Sequence, residues 1–137
     1  MIVYVDSSVV LRHLLGQART LEWADWQAAY SSEILGLEVR RVIDRLRLNS
    51  TLDDNGTAYA QQALMRLERS IGQISLTRRV LRRAAQPMPT AVKTLDAIHL
   101  ASALLFQERT ENILVFATHD FQQATGARAL GFEVIGA

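Results

Sequence analysis

Residues 113–120 read Ile113-Leu114-Val115-Phe116-Ala117-Thr118-His119-Asp120, an apolar run rich in β-favouring side chains that stops at polar residues and a carboxylate. A run that is apolar throughout, rather than alternating, suits a strand buried on both faces, as in a parallel sheet with helices on each side. The chain opens in the same manner, with Ile2-Val3-Tyr4-Val5 running into Asp6-Ser7-Ser8. In an open parallel α/β sheet ligands bind beyond the carboxyl ends of the strands, so Asp6 and Asp120 point to one edge.

Between these two strands the pattern is mostly helical. Val9-Val10-Leu11 with Leu14-Leu15 predicts a helix up to Gly16, and residues 21–30 also read as helix. Ser31-Ser32 is a candidate cap for a helix over 33–48, where Ile34, Leu35, Val39, Val42, Ile43 and Leu46 recur at helical spacing. Residues 49–56 read as a loop. A helix is predicted over 57–70 with Ala60, Ala63, Leu64 and Leu67 inward, then a short strand at Ile74-Ser75-Leu76. The arginine-rich segment 78–83 predicts a short helix stopped by Pro87-Met88-Pro89, and Thr94 is placed as the cap of a helix through Leu105. After the strand at 113–118 come a helix over 121–130, stopped by Gly131, and a last strand at 132–135. This order predicts a single α/β domain over residues 1–137, a mostly parallel central sheet covered by helices on both faces. No repeat, low-complexity stretch or second domain interrupts it.

Composition narrows the function classes. The 137 residues are 49% hydrophobic and 21% charged, and no stretch approaches the roughly 18 consecutive apolar residues of a membrane span. The start has no basic segment ahead of an apolar one, so no secretory signal is expected and a cytoplasmic location is. The absence of cysteine excludes thiol nucleophiles, disulfides and thiolate zinc sites. Net charge is only +1, which disfavours a basic-tail nucleic-acid binder. With Asp6, Glu38, Asp96 and Asp120 gathered around a cation, however, ten of the fourteen acids remain against fifteen basic residues, a balance modestly favourable to RNA. All but one of those basic residues are arginine, which suits forked contacts with phosphate and equally suits a GC-rich genome.

Each of the four acids has a plain structural explanation. Asp6 and Asp120 are each placed to cap the helix that follows. Asp96 falls in a first helical turn, where the macrodipole favours a carboxylate. Glu38 lies about 40° from Ile34 and Val42 on the helical wheel, at the border of the buried stripe, where an ion pair with Arg41 or Arg45 would account for it. Convergence is what separate caps do not explain. Four carboxylates in one pocket repel and raise each other's pKa unless a divalent cation neutralises them, and all-oxygen ligation favours Mg2+ or Mn2+. Such ions hold a phosphodiester, help generate hydroxide and stabilise a leaving oxygen, which is nuclease chemistry.

Four segments together resemble PIN-domain ribonucleases, and within them the VapC-type toxins of toxin–antitoxin pairs. They are Val3-Tyr4-Val5-Asp6-Ser7-Ser8, Ser31-Ser32 with Glu38-Val39, Leu95-Asp96-Ala97-Ile98-His99-Leu100-Ala101, and Ala117-Thr118-His119-Asp120, in an order spanning essentially the whole chain. The resemblance implies a PIN-like fold, Asp6 and Asp96 as principal metal ligands, and Glu38 and Asp120 completing the acidic centre, with Asp120 also a ligand. It assigns Ser7 and Thr118 as polar support and implies hydrolysis of RNA to 3′-hydroxyl and 5′-phosphate ends. A homodimer and a cognate antitoxin protein laid across the active-site groove are implied as well. Residues 57–70 and the helices before them are then the partner surface, although apolar residues in such a pattern are more often ordinary core, and that reading comes first. His99, three residues after Asp96, reads as a structural hydrogen-bonder before a ligand or base; His119 is placed near RNA, and His13 has no such placement.

Two other readings stay open. A magnesium-dependent phosphotransfer domain also uses strand-end aspartates, but a receiver wants paired acids after the first strand and a lysine after a late one, whereas this chain has Asp6-Ser7-Ser8 and only Lys93. An aspartyl-phosphate phosphatase wants a second aspartate where Ser8 stands. A non-catalytic RNA- or protein-binding module of the same fold differs in whether a cation binds and bound RNA is cut.

Overall fold

The computed structural model describes residues 1–137 in full. Five strands, β1 (Ile2–Val5), β2 (Ala28–Ser32), β3 (Ile71–Ile74), β4 (Leu114–Ala117) and β5 (Glu133–Ile135), form one sheet in the order β3-β2-β1-β4-β5. Every neighbouring pair is parallel. Six helices connect and cover them: α1 (Ser7–Leu14), α2 (Leu35–Leu48), α3 (Asp54–Ser70), α4 (Arg78–Ala85), α5 (Thr94–Thr110) and α6 (Phe121–Ala129). No helix is long and apolar enough to cross a membrane.

Side chains alternate across a strand, and β1 shows how this divides the core. Val3 and Val5 point into a cluster with Val9, Val10, Leu35, Val39, Ile43 and Leu64, so α1, α2 and α3 cover one face. Tyr4 points the other way, among Leu100, Ala103, Phe106, Phe116, Ala127 and Phe132 of β4, α5, α6 and the segment before β5. Tyr4 and Phe116 are fully buried and stack with ring centroids 5.1 Å apart. Burying an aromatic of this size contributes about 2–3 kcal/mol relative to exposure. Helix α5 is buried without a break from Ala97 to Ala103, because the sheet, α4 and α6 surround it.

Several boundaries differ from the sequence reading. Residues 21–30 are not helical: Trp23 and Trp26 stack at 4.9 Å in an irregular segment, and the chain then enters β2. The helix-prone Ala28-Ala29-Tyr30 is held as strand by pairing with Ile2, Val3 and Tyr4, a tertiary constraint that overrides local preference. Ser31 and Ser32 therefore end a strand and do not cap α2, whose N-cap position, Ile34, makes no side-chain cap. Ser31 Oγ donates to the Val5 carbonyl at 2.6 Å instead.

Strand β3 lies at Ile71–Ile74 rather than 74–76, where Gly72 and Gln73 hide the β pattern. A Cβ at Gly72 would stand 2.6 Å from the Tyr30 ring, so glycine is what lets that ring lie on the strand. Helix α3 starts three residues early because Asp53 caps it, its carboxylate accepting from the Gly56 amide at 2.7 Å. Thr94 is the first residue of α5 and not its cap; Lys93 holds the cap position without a side-chain bond. Helix α5 also runs one turn past Leu105, since Phe106 continues the buried stripe and packs on Tyr30 with centroids 4.5 Å apart.

Candidate active site

From β1 the chain moves outward to β2 and β3, then returns to lay β4 and β5 on the other side of β1. The reversal between β1 and β4 opens a crevice beyond their carboxyl ends, the usual ligand position in such sheets. Asp6 follows β1 directly, and Asp120 stands three residues beyond β4.

Asp6 is almost wholly buried, 4% exposed, and caps α1: Oδ1 accepts from the Ser8 amide at 3.0 Å and from the Ser8 hydroxyl. Oδ2 accepts from Thr118 Oγ1 at 2.6 Å. Burial pushes the Asp6 carboxyl above its ordinary range, and the bonds from Ser8 and Thr118 oppose that. Asp120 is exposed and caps α6 through Oδ1, which accepts from the amides of Gln122 and Gln123 at 2.8 and 3.1 Å, leaving Oδ2 open. Both strand-end acids are thus helix caps, and each cap is worth about 1 kcal/mol. Capping fixes both carboxylates at the edge.

Asp96 occupies the third position of α5 and is half-buried. Its carboxyl is raised first by desolvation, then by the charges of Asp120 and Asp6 and, more weakly, of Glu38, while His99 acts in the opposite sense. Asp96 therefore feels all three other acids. Glu38, in the first turn of α2, has neither arginine as its partner: Arg41 turns to Asp44 at 3.3 Å. Glu38 Oε1 instead faces His99 Nε2 at 2.5 Å, and Ser7 Oγ donates to Oε2 at 3.4 Å. Because α2 and α5 cover opposite faces of the sheet, this contact spans its carboxyl edge.

The remaining polar residues divide. Thr118 links Asp6 to the Asp120 amide, and Ser8 Oγ accepts from the His119 amide at 2.8 Å. His119 Nδ1 donates to the Gly136 carbonyl at 2.8 Å, tying the end of the chain to the β4 edge. Gly136 has φ +96°, and a Cβ there would stand 2.5 Å from the Thr118 carbonyl, so only glycine closes this turn. His13 is exposed and packs near Trp23, away from the acids. Ala60 and Leu64 of α3 are buried core, while Tyr59 and Met65 are exposed. A concavity of about 480 Å³ between α4 and the start of α5 is lined by Leu81, Met88, Val92, Lys93 and Ile98 among others, and by none of the four acids.

The donor set at the edge fits a hard divalent cation in kind, being carboxylate oxygen with Asp96 and Asp120 Oδ2 unengaged by hydrogen bonds. No three Asp, Glu or His side chains form a ready-made cage.

The chain belongs to the PIN domain family, whose model matches residues 3–128. It is also similar to a curated protein, Ribonuclease VapC47 of Mycobacterium tuberculosis (strain CDC 1551 / Oshkosh), at 26% identity over 131 residues, covering 95% of this chain and 93% of that protein. The five-stranded parallel sheet with helices on both faces is the architecture expected of such a member.

Proposed function

We propose that this chain is a metal-dependent endoribonuclease that hydrolyses RNA phosphodiester bonds at the edge bearing Asp6, Glu38, Asp96 and Asp120. The observation that carries the reading is the hydrogen-bonded edge itself, where Thr118 joins the Asp6 carboxylate to the Asp120 amide and His99, one turn after Asp96 on α5, faces Glu38. Carboxylates serving only as separate caps have no cause to be so grouped. Membership of the PIN domain family and the similarity to a ribonuclease support the reaction class.

In this reading Asp6, Asp96 and Asp120 hold Mg2+ or Mn2+. When bound, the ion supplies charge neutralisation for the scissile phosphate and acidifies the attacking water. Ser8 and Thr118 keep Asp6 oriented through its two oxygens. Glu38, at the border between core and solvent, accepts the proton of the attacking water. Arg78, Arg79 and Arg82, exposed on α4, draw in the RNA backbone. The products carry 3′-hydroxyl and 5′-phosphate ends.

The biological role that accompanies this activity is that of a VapC-type toxin, a cytoplasmic homodimer held inactive by a cognate antitoxin. Incubating purified protein with RNA, EDTA and then added magnesium or manganese tests the activity. Cutting restored only by metal, with 5′-phosphate products, supports it. RNA that is bound by folded, metal-loaded protein but left intact favours the non-catalytic binding module.

A further inference from the structure

The buried polar chain behind Glu38 begins in the sheet. The Ser32 amide donates to Tyr4 Oη at 3.1 Å, Tyr4 Oη lies 2.7 Å from His99 Nδ1, and His99 Nε2 lies 2.5 Å from Glu38 Oε1. Tyr4 is fully buried and His99 is 1% exposed, so water replaces none of these partners. An ionised carboxylate only accepts, so the hydrogen between His99 and Glu38 sits on Nε2, and the Tyr4 hydroxyl is placed to donate to a bare Nδ1.

We propose that His99 is a positioning residue for RNA cleavage, clamped by Tyr4 in the Nε2–H tautomer so that it fixes the Glu38 carboxylate at the strand-end edge. This rests on the ribonuclease reading. A glutamate has three rotatable side-chain bonds, and the Ser7 contact, at 3.4 Å, is too long to fix it alone. His99 stands one turn after Asp96 on α5, so the helix that presents one acid also carries the clamp for another. The contact ties Glu38 of α2 to the helix that carries Asp96, across the two faces of the sheet.

A double-mutant cycle separates this role from a merely structural one. His99→Gln and Tyr4→Phe are each combined with Glu38→Gln, and kcat and KM for RNA cleavage are measured on folded, metal-saturated protein. Tyr4→Phe removes the hydroxyl and retains the ring that stacks on Phe116, which keeps the test valid if His99→Gln folds poorly. Each single substitution is expected to lower kcat about 10- to 100-fold with KM nearly unchanged. In the Glu38→Gln background each is expected to cost little more, because the clamp has nothing left to hold. Imidazole nitrogen shifts in the wild type should report Nε2–H with a hydrogen-bonded bare Nδ1, and the Nδ1 shift should change in Tyr4→Phe. Additive losses, or an Nδ1–H tautomer, in a wild type that does cut RNA would overturn the role of His99 alone. A wild type that cuts no RNA would overturn the enzyme reading, and this role with it.

Discussion

Thr118 Oγ1 donates to Asp6 Oδ2 at 2.6 Å and accepts from the Asp120 amide at 3.0 Å, so one fully buried hydroxyl couples the acid after β1 to the acid after β4. The two strands are paired side by side through their whole length, which sets the spacing the hydroxyl bridges. Thr118→Val keeps the volume and removes the bridge. The expected result is a loss of about 1–3 kcal/mol in stability together with a 10- to 100-fold weaker affinity for Mn2+. Denaturant unfolding and manganese titration measure the two effects, and an unaltered affinity would separate Thr118 from the metal reading.

The Asp96 carboxyl is raised in the folded chain by desolvation and by Asp120, Asp6 and Glu38. Folding therefore favours its protonated form. Its contribution to stability is fully present below the unfolded value, about 3.9, and is lost as pH rises through the higher folded value. Without metal, Asp96→Asn should be more stable than the wild type at pH 7, and the difference should shrink on moving to pH 4. Thermal melts in EDTA across this range decide it; a variant less stable than wild type at pH 7 would mean that Asp96 is not held against its neighbours' charge.

The arginines of α4 bear on substrate. Arg78, Arg79 and Arg82 are exposed and Arg83 is partly buried. Replacing the three exposed residues by glutamine should weaken RNA binding and flatten its salt dependence, by roughly 0.7 in slope for each single-strand phosphate no longer neutralised. Filter binding at several salt concentrations reads this directly, and an unchanged slope returns the segment to an ordinary solvated helix face.

If the chain is a toxin, its expression without an antitoxin should arrest growth, and expression of Asp96→Asn should not. Growth curves of the two, at matched levels of folded protein, test it. Equal growth with an active wild type would confine the chain to some other ribonuclease role.

The strands that carry the outer acids were legible because β1 and β4 are apolar on both faces and end at Asp6 and near Asp120. Strand β2 was not. Ala28-Ala29-Tyr30 lacks β-branched residues and is a strand only because β1 and β3 flank it, a relation between segments more than twenty residues apart. For the same reason Ser31 and Ser32 looked like a cap for α2. At the site, the helix spacing marks Glu38 as needing a partner, but Arg41 and Arg45 lie one and two turns along the same helix while His99 lies on another. The signal that would have found it is Tyr4, the one polar-tipped residue in β1, whose buried hydroxyl requires a partner. Nothing local in the sequence records that α2 and α5 approach from opposite faces.

Whether these acids hold the ion that cuts RNA is decided by manganese titration paired with cleavage assays of wild type and Asp96→Asn. The expected result is saturable binding and metal-dependent cleavage in the wild type, and a loss of both by about 100-fold or more in a variant whose thermal stability at pH 7 is not reduced. Full cleavage by Asp96→Asn, or wild-type cleavage that persists unchanged in EDTA, would contradict it.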